Sequence, residues 1–303
     1  MKIYNLGSMN VDYVYGVDHF ITGGETLSSY SRDVFPGGKG LNQSVALARA
    51  GVAVIHGAIA GDGGALLTET LEAAGVDIGR IEKRTGSCGH TFIQVDKNGQ
   101  NCILLFPGTN HAVDLDYIQR FLHDAQEGDL LLLQNEVSHV AAALEIAHSK
   151  KMQIAFNPSP FHEDIKKLPL SYVTWWFCNE IEGAALFGSS RPEEMAEEFR
   201  RQFPNSNLIL TLGKEGSIFV NADTYMKQPI YEVSTVDTTA AGDTFTGYFL
   251  AAFVGGRDAA FSLDIAARAS AMTVSRKGAS VSIPLRDEVD RAFSKTQQRS
   301  SHA

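Results

Sequence analysis

Short apolar runs alternate with segments of helical period along most of the chain. The runs at 3–7, 53–60, 130–134, 153–157, 173–178, 208–212 and 217–220 predict strands. The segments at 41–50, 66–74, 140–149, 193–202 and 244–254 predict helices. Strand and helix in alternation give an α/β fold with a mostly parallel sheet covered on both faces. Two stretches, 11–34 and 89–106, break the rhythm: they are rich in β-branched and aromatic residues and alternate with period two. Within the second, 91–95 and 102–106 flank Asp96-Lys97-Asn98-Gly99, which predicts a hairpin about an Asn-Gly turn. Both stretches are expected in a small β-sheet that projects from a single 1–303 domain as a lid. The polar tail at 295–303 is expected to fray. No internal repeat is apparent.

Ligands in open α/β sheets bind beyond the carboxyl ends of the strands. Here those ends carry polar residues: Asn135-Glu136, Asn157, Asn179 and Thr211-Leu212-Gly213. They are expected to converge on one crevice.

Composition narrows the partners. The 303 residues are 44% hydrophobic and 20% charged, an ordinary globular mixture with ample material for a core. The formal charge is −9, with 35 acidic against 26 basic side chains, which argues against a nucleic-acid or membrane surface. The apolar run at 1–7 is too short for a signal peptide, and no stretch reaches the roughly 20 apolar residues of a membrane span. Cys88, Cys102 and Cys178 are isolated, without the spacing of a zinc site or a disulfide framework, so a reduced cytoplasmic enzyme is expected.

The most informative segment is Val236-Asp237-Thr238-Thr239-Ala240-Ala241-Gly242-Asp243-Thr244-Phe245. A β-rich run at 230–236 leads into a loop of small residues, which opens directly into an apolar helix. Small side chains let the N–H groups of Ala240, Ala241 and Gly242 approach an anion, and the helix start adds its positive dipole end. Asp243 then stands beside a bound phosphate. A lone Gly-Asp before a helix would read as an N-cap; loop, strand and helix in register favour the anion site.

A second segment, Phe35-Pro36-Gly37-Gly38-Lys39-Gly40-Leu41-Asn42-Gln43, lets backbone and ammonium approach a ligand while Asn42 projects from a first helical turn. It is neither a Walker A loop, since Gly40 follows Lys39, nor a dinucleotide fingerprint, since the third Gly is missing. After the first strand, Asn10 and Asp12 share a face by period two, an amide and a carboxylate suited to vicinal hydroxyls. Alone, that pair also fits turn chemistry.

Together these strings resemble the ribokinase, or PfkB, family of carbohydrate kinases, from Gly7-Ser8-Met9-Asn10 to Arg276-Lys277-Gly278-Ala279. The resemblance implies a ribokinase-like three-layer sandwich and an ATP-dependent kinase acting on the primary hydroxyl of a small sugar, D-ribose first. It implies Asp243 as catalytic base and Asn10, Asp12, Gly38, Lys39, Asn42 and Glu136 as sugar contacts. Asn179, Thr211, Gly213, Gly216 and Gly242 would meet ATP, with Glu182 of Asn179-Glu180-Ile181-Glu182 organising Mg²⁺. Asp237, Thr239, Thr273, Arg276, Gly278 and Ser282 match a site for an activating monovalent cation, K⁺. A homodimer through the lid is also implied. The chain departs from the family pattern at Ala267, where some members place a His, at Asn135 and at Gly23. The alternatives are a kinase for fructose, 2-keto-3-deoxygluconate or a nucleoside, and a non-catalytic sugar-binding regulator on the same scaffold.

Overall fold

A computed structural model of the chain describes the backbone of residues 1–300 and the side chains of 1–293. The strands are β1 (Ile3–Leu6), β2 (Asn10–Gly16), β3 (Ser31–Gly37), β4 (Val54–Gly57), β5 (Ile59–Asp62), β6 (Glu82–Ser87), β7 (Gly89–Val95), β8 (Asn101–Phe106), β9 (Leu130–Gln134), β10 (Gln153–Asn157), β11 (Trp175–Asn179), β12 (Asn207–Thr211), β13 (Ser217–Val220) and β14 (Tyr225–Gln228). The helices are α1 (Lys39–Arg49), α2 (Ala65–Ala73), α3 (Leu115–Phe121), α4 (Val140–Ser149), α5 (Glu180–Phe187), α6 (Pro192–Gln202), α7 (Ala241–Val254), α8 (Ala259–Val274) and α9 (Arg286–Ser300).

The main sheet runs β14-β13-β12-β11-β10-β9-β1-β4. It is parallel from β4 through β12, and β13 and β14 close one edge antiparallel. Period two divides each central strand between two cores. Leu130 and Leu132 pack in one cluster with Val45, Phe249 and Ala266, from α1, α7 and α8. Leu131 and Leu133 pack in the other with Tyr117, Leu144 and Phe199, from α3, α4 and α6. Burial on both faces is why these strands read as unbroken apolar runs. Each such Leu contributes about 1.5–3 kcal/mol by leaving water.

A second sheet, in the order β3-β2-β7-β8, gathers strands from both period-two stretches. Its outer strand β8 is exposed along its whole length. The fold is therefore the expected α/β sandwich with a smaller sheet attached.

The structure departs from the sequence reading at several points. The run at 53–60 breaks at Ala58: β4 joins the main sheet and β5 pairs with β6 in a separate two-stranded sheet. Residues 230–236 form no strand; the chain leaves the sheet at Pro229, which has no N–H to donate, and is tied back through Val236 N–H to the Val274 carbonyl. Helices α3, α5, α8 and α9 were not predicted. Backbone 295–300 continues α9 as helix, where fraying was expected, and residues 301–303 lie outside the described residues. Among the described residues no helix is long and apolar enough to cross a membrane.

The packing of α7 on α1 sets up the site. A Cβ added at Gly247 would lie 2.4 Å from Ala46 Cβ and 2.9 Å from Leu47 N, so only glycine lets the two helices approach so closely. That contact brings the first turn of α1 against the first turn of α7.

Candidate active site

The turn between β3 and α1 is made possible by Gly38, whose φ of 92° belongs to the region glycine favours. From there Leu41 N–H bonds the Ser8 carbonyl and Asn42 N–H the Gly38 carbonyl, both at 2.9 Å. Lys39 opens α1, and its N–H donates to Glu136 Oε2 at 3.0 Å. The Ser8 hydroxyl donates to the same oxygen. Asn42 Nδ2 donates to Asp243 Oδ2 at 3.0 Å, which joins positions 201 residues apart.

Asn10 and Asp12 sit on β2 and are buried. Asn110 Nδ2 donates to Asn10 Oδ1 at 2.7 Å, and the Thr91 hydroxyl donates to Asp12 Oδ1 at 2.6 Å. Two glycines in register with Asn10 make room for these side chains. A Cβ at Gly37 would lie 2.0 Å from Asp12 Oδ2, and one at Gly89 would lie 2.1 Å from Asn10 Oδ1. No pattern along the chain singles out Asn110, which lies in a 3-10 turn without periodicity.

The loop before α7 carries an unusual backbone. Ala240 adopts φ 61°, a left-handed conformation that costs a non-glycine residue on the order of 1 kcal/mol. Ala241 N–H reaches back to the Thr238 carbonyl at 3.3 Å, and Thr244 N–H bonds the Ala240 carbonyl at 2.8 Å. The intervening N–H groups, of Gly242 and Asp243, are the unpaired donors that any helix start presents. Asp243, Ala240, Ala241 and Gly242 all line a cavity of about 930 Å³. Lys39, Asn157, Asn179, Glu182, Thr211, Gly213 and Gly216 line it too, so three of the four strand ends converge as expected, whereas Asn135 and Glu136 do not line it and Asn135 turns to the Pro160 carbonyl and His162.

Asn179 and Glu182 form a capping box at α5: Asn179 Oδ1 accepts from the N–H groups of Ile181 and Glu182, and Glu182 Oε2 accepts from Asn179 N–H. The cap and the cavity wall are the same residues. Gly213 and Gly216 shape the loop after β12, where a Cβ at Gly216 would lie 2.1 Å from the Gln228 carbonyl oxygen. Ala267 and the irregular 230–235 segment contribute to the wall beyond that loop.

The six residues expected at a monovalent-cation site are only partly assembled. Asp237 Oδ1 accepts from Thr239 N–H and hydroxyl, and Oδ2 from Gly278 N–H at 3.0 Å, so one carboxylate ties the two loops together. Thr273 instead meets the Thr244 hydroxyl inside the core, Arg276 pairs with Glu288, and the Ser282 hydroxyl donates to the Ala279 carbonyl. Among the described residues no three His, Cys, Asp or Glu side chains gather into a metal cluster.

Charge in the site is dominated by carboxylates. Burial pushes Asp12 up from the ordinary 3.8 to about 6, with Glu136 and Asp243 adding to it and the Thr91 hydroxyl opposing. Burial likewise raises Glu136, against Lys39 and Ser8. Burial works against charge on Lys39, but Asp243, Glu136 and Glu182 outweigh it and hold the ammonium above the usual Lys range. A raised carboxyl stabilises the fold below its unfolded value, and that contribution is lost as pH rises through about 6. Asp12→Asn, which keeps an oxygen for Thr91, is therefore expected to stabilise the ligand-free protein more at pH 8 than at pH 5. Urea unfolding at the two pH values is the check; an equal gap at both would contradict the shift.

Similarity to known proteins agrees with this geometry. A family model described as pfkB family carbohydrate kinase matches residues 2–286. The chain is 34% identical to a ribokinase of Schizosaccharomyces pombe, over 97% of this chain and 98% of that protein. A crystal structure of ribokinase from Thermotoga maritima superposes with a TM-score of 0.83 at 35% identity, covering 97% of this chain and 99% of that one. A ribokinase of Cryptococcus neoformans var. grubii, solved in complex with ADP, superposes with a TM-score of 0.82 at 29% identity, over 96% and 99% of the two chains. The chain belongs to the pfkB family of carbohydrate kinases.

Proposed function

We propose that the protein is an ATP-dependent sugar kinase that phosphorylates the primary hydroxyl of D-ribose to give ribose 5-phosphate. One observation carries this reading. The Asp243 carboxylate stands at the first turn of α7, on the wall of a large cavity, beside unpaired N–H groups at a helix start. A base and an anion cradle in one turn are what phosphoryl transfer to a hydroxyl requires. The relatives named ribokinase, which the chain matches over nearly its full length, point to the acceptor.

In this reading Asp243 accepts the proton of the sugar hydroxyl as the hydroxyl oxygen takes the γ-phosphoryl group from ATP and ADP leaves, while the 240–242 backbone at the helix start cradles the charge on the moving group. Asn10, Asp12, Gly38, Lys39, Asn42 and Glu136 bind the sugar. Three carboxylates around one ammonium favour a neutral ligand rich in hydroxyl donors over an anionic one. Asn179, Thr211, Gly213, Gly216 and Gly242 bind ATP. Glu182 suits Mg²⁺, which commonly takes one protein carboxylate and completes its shell with phosphates and water. When bound, that ion would neutralise charge on the phosphate oxygens. The small sheet serves as a lid that excludes water, a competing acceptor. ADP release over a panel of sugars tests the reading, and absence of release with every sugar would leave only a binding protein.

Asp237 supports a monovalent-cation site. Its carboxylate bridges the 237–239 and 278 loops, and the first of these runs straight into the anion cradle. A K⁺ ion held there by Asp237 with oxygens of Thr239, Thr273, Arg276, Gly278 and Ser282 would order those amides. Turnover is expected to be faster in K⁺ than in Na⁺ at equal ionic strength. Equal rates in the two salts, with Mg²⁺ saturating, would remove the cation from the account.

The protein is further read as a cytoplasmic homodimer. Ile103, Leu104, Leu105 and Phe106 on β8 and Phe92 on β7 are exposed, an apolar surface that a second copy of the lid would cover. A monomer in sedimentation equilibrium would contradict the pairing.

A further inference from the structure

We infer that Gln43 is a positioning residue for this reaction, holding the Asp243 carboxylate in the orientation that receives the hydroxyl proton. Gln43 is in turn held by a buried chain of amides through Gln134 and Asn5. The inference rests on the reading of Asp243 as the base.

The contacts are continuous. Gln43 Nε2 donates to Asp243 Oδ1 at 2.9 Å and to Asn157 Oδ1 at 3.2 Å, which uses both of its hydrogens. Gln43 Oε1 accepts from Gln134 Nε2 at 2.7 Å, and Gln134 Nε2 also donates to Asn5 Oδ1 at 3.0 Å. Asn5 Nδ2 donates to the Gly40 carbonyl and to Ser44 Oγ, both at 2.8 Å. Ser44 Oγ lies 2.8 Å from His56 Nδ1. Burial keeps that imidazole neutral by pushing His56 down to about 3. At the other end, Asn157 Nδ2 donates to the Phe177 carbonyl at 2.8 Å, which leaves Asn157 Oδ1 facing Gln43.

The chain has one workable sense. A flipped Gln43 would set its oxygen against the Asp243 carboxylate and Asn157 Oδ1, and its –NH₂ against the donor of Gln134. Gln43, Gln134, Asn5, Ser44 and His56 are all fully buried, so bulk water does not reach them to compensate a wrong orientation. Gln43 itself does not line the cavity, whereas Asp243 does. Its two cavity-lining partners are Asp243 and Asn157, and Asp243 takes the shorter bond, so its effect on the reacting hydroxyl passes through the Asp243 carboxylate. Adjacent residues Asn42 and Gln43 grip the two oxygens of one carboxylate, which stops it rotating and leaves its free lone pairs for the cavity side.

The test compares Gln43→Met, which keeps length but removes the donor, with Gln134→Met and the double variant. For Gln43→Met, kcat is expected to fall about tenfold, the effect of one lost hydrogen bond to a charged group. KM for ribose and for ATP should stay within about twofold, because Gln43 does not line the cavity. Gln134→Met should lower kcat several-fold in the same manner, and the double variant should be no worse than Gln43→Met, since both changes break one chain. A Gln43→Met kcat within about twofold of wild type, a loss confined to KM, or strictly additive losses would overturn the inference. Should Gln43→Met fail to fold, an unchanged kcat in Gln134→Met overturns it alone. Wild type separates the two failures: no ADP release by wild type on any sugar sinks the base reading, and this inference with it. An active wild type beside an unaffected Gln43→Met sinks only the inference.

Discussion

Asp243→Asn is expected to lower kcat by roughly 10²–10⁴-fold, the usual contribution of a positioned general base. The substitution keeps the size of the side chain but leaves one acceptor oxygen where two were used. Of the two donors that meet the carboxylate, Asn42 Nδ2 and Gln43 Nε2, one would then face an –NH₂ group. That mismatch costs about 1–3 kcal/mol of stability. Thermal unfolding and calorimetric binding of ribose and ATP must therefore accompany the kinetics. Binding that survives while turnover collapses is the expected pattern. A variant retaining more than about a tenth of wild-type kcat would show that Asp243 is not the base.

The second large effect concerns the acceptor. D-Ribose should lead 2-deoxyribose by roughly tenfold to a hundredfold in kcat/KM, because a missing hydroxyl leaves one buried polar group of the site unpaired. The candidates for that group are specific. Asp12 Oδ2 and the carboxylate of Glu136 can each accept, while Lys39 only donates. Asp12 is already held by the Thr91 hydroxyl and Asn10 by Asn110, so these side chains cannot swing to find another partner. Preorganisation of this kind makes the penalty for a deoxy sugar full rather than partial. A hexose or nucleoside exceeding ribose by about tenfold would reassign the substrate and leave only the chemistry at Asp243 standing.

Much of this fold was legible because burial on both faces writes a simple pattern. The strands at 130–134, 153–157 and 217–220 and the helix at 140–149 fall where the apolar runs placed them. Helix α8 was not legible for a related reason. Ser262, Leu263, Ile265, Ala266, Ala269 and Thr273 are all buried, so it is enclosed on several sides and shows little amphipathic contrast. The segment at 230–236 has strand-like residues, but tertiary packing against the end of α8 decides its path.

The site divides in the same way. Asp243, Lys39, Asn179, Glu182 and Thr211 lie in local strings whose chemistry can be read in one window, and the cavity gathers them. What holds them was not readable. Asn110 supports Asn10 from 100 positions away, Thr91 supports Asp12 from 79, and Gln134 supports Gln43 from 91. These partners are named by topology rather than by spacing. Gln43 did carry a signal, its place beside Asn42 at the start of α1, but only the packing of α1 on α7 at Gly247 turns that neighbour into a second grip on Asp243.

The most direct measurement of the central claim is identification of the product. Wild type with Mg²⁺, ATP and D-ribose should yield ADP and ribose 5-phosphate in equal amounts, with ³¹P and ¹³C NMR placing the phosphate on the primary hydroxyl carbon. ADP accompanied by free inorganic phosphate, or phosphate on a secondary or anomeric hydroxyl, would contradict the account.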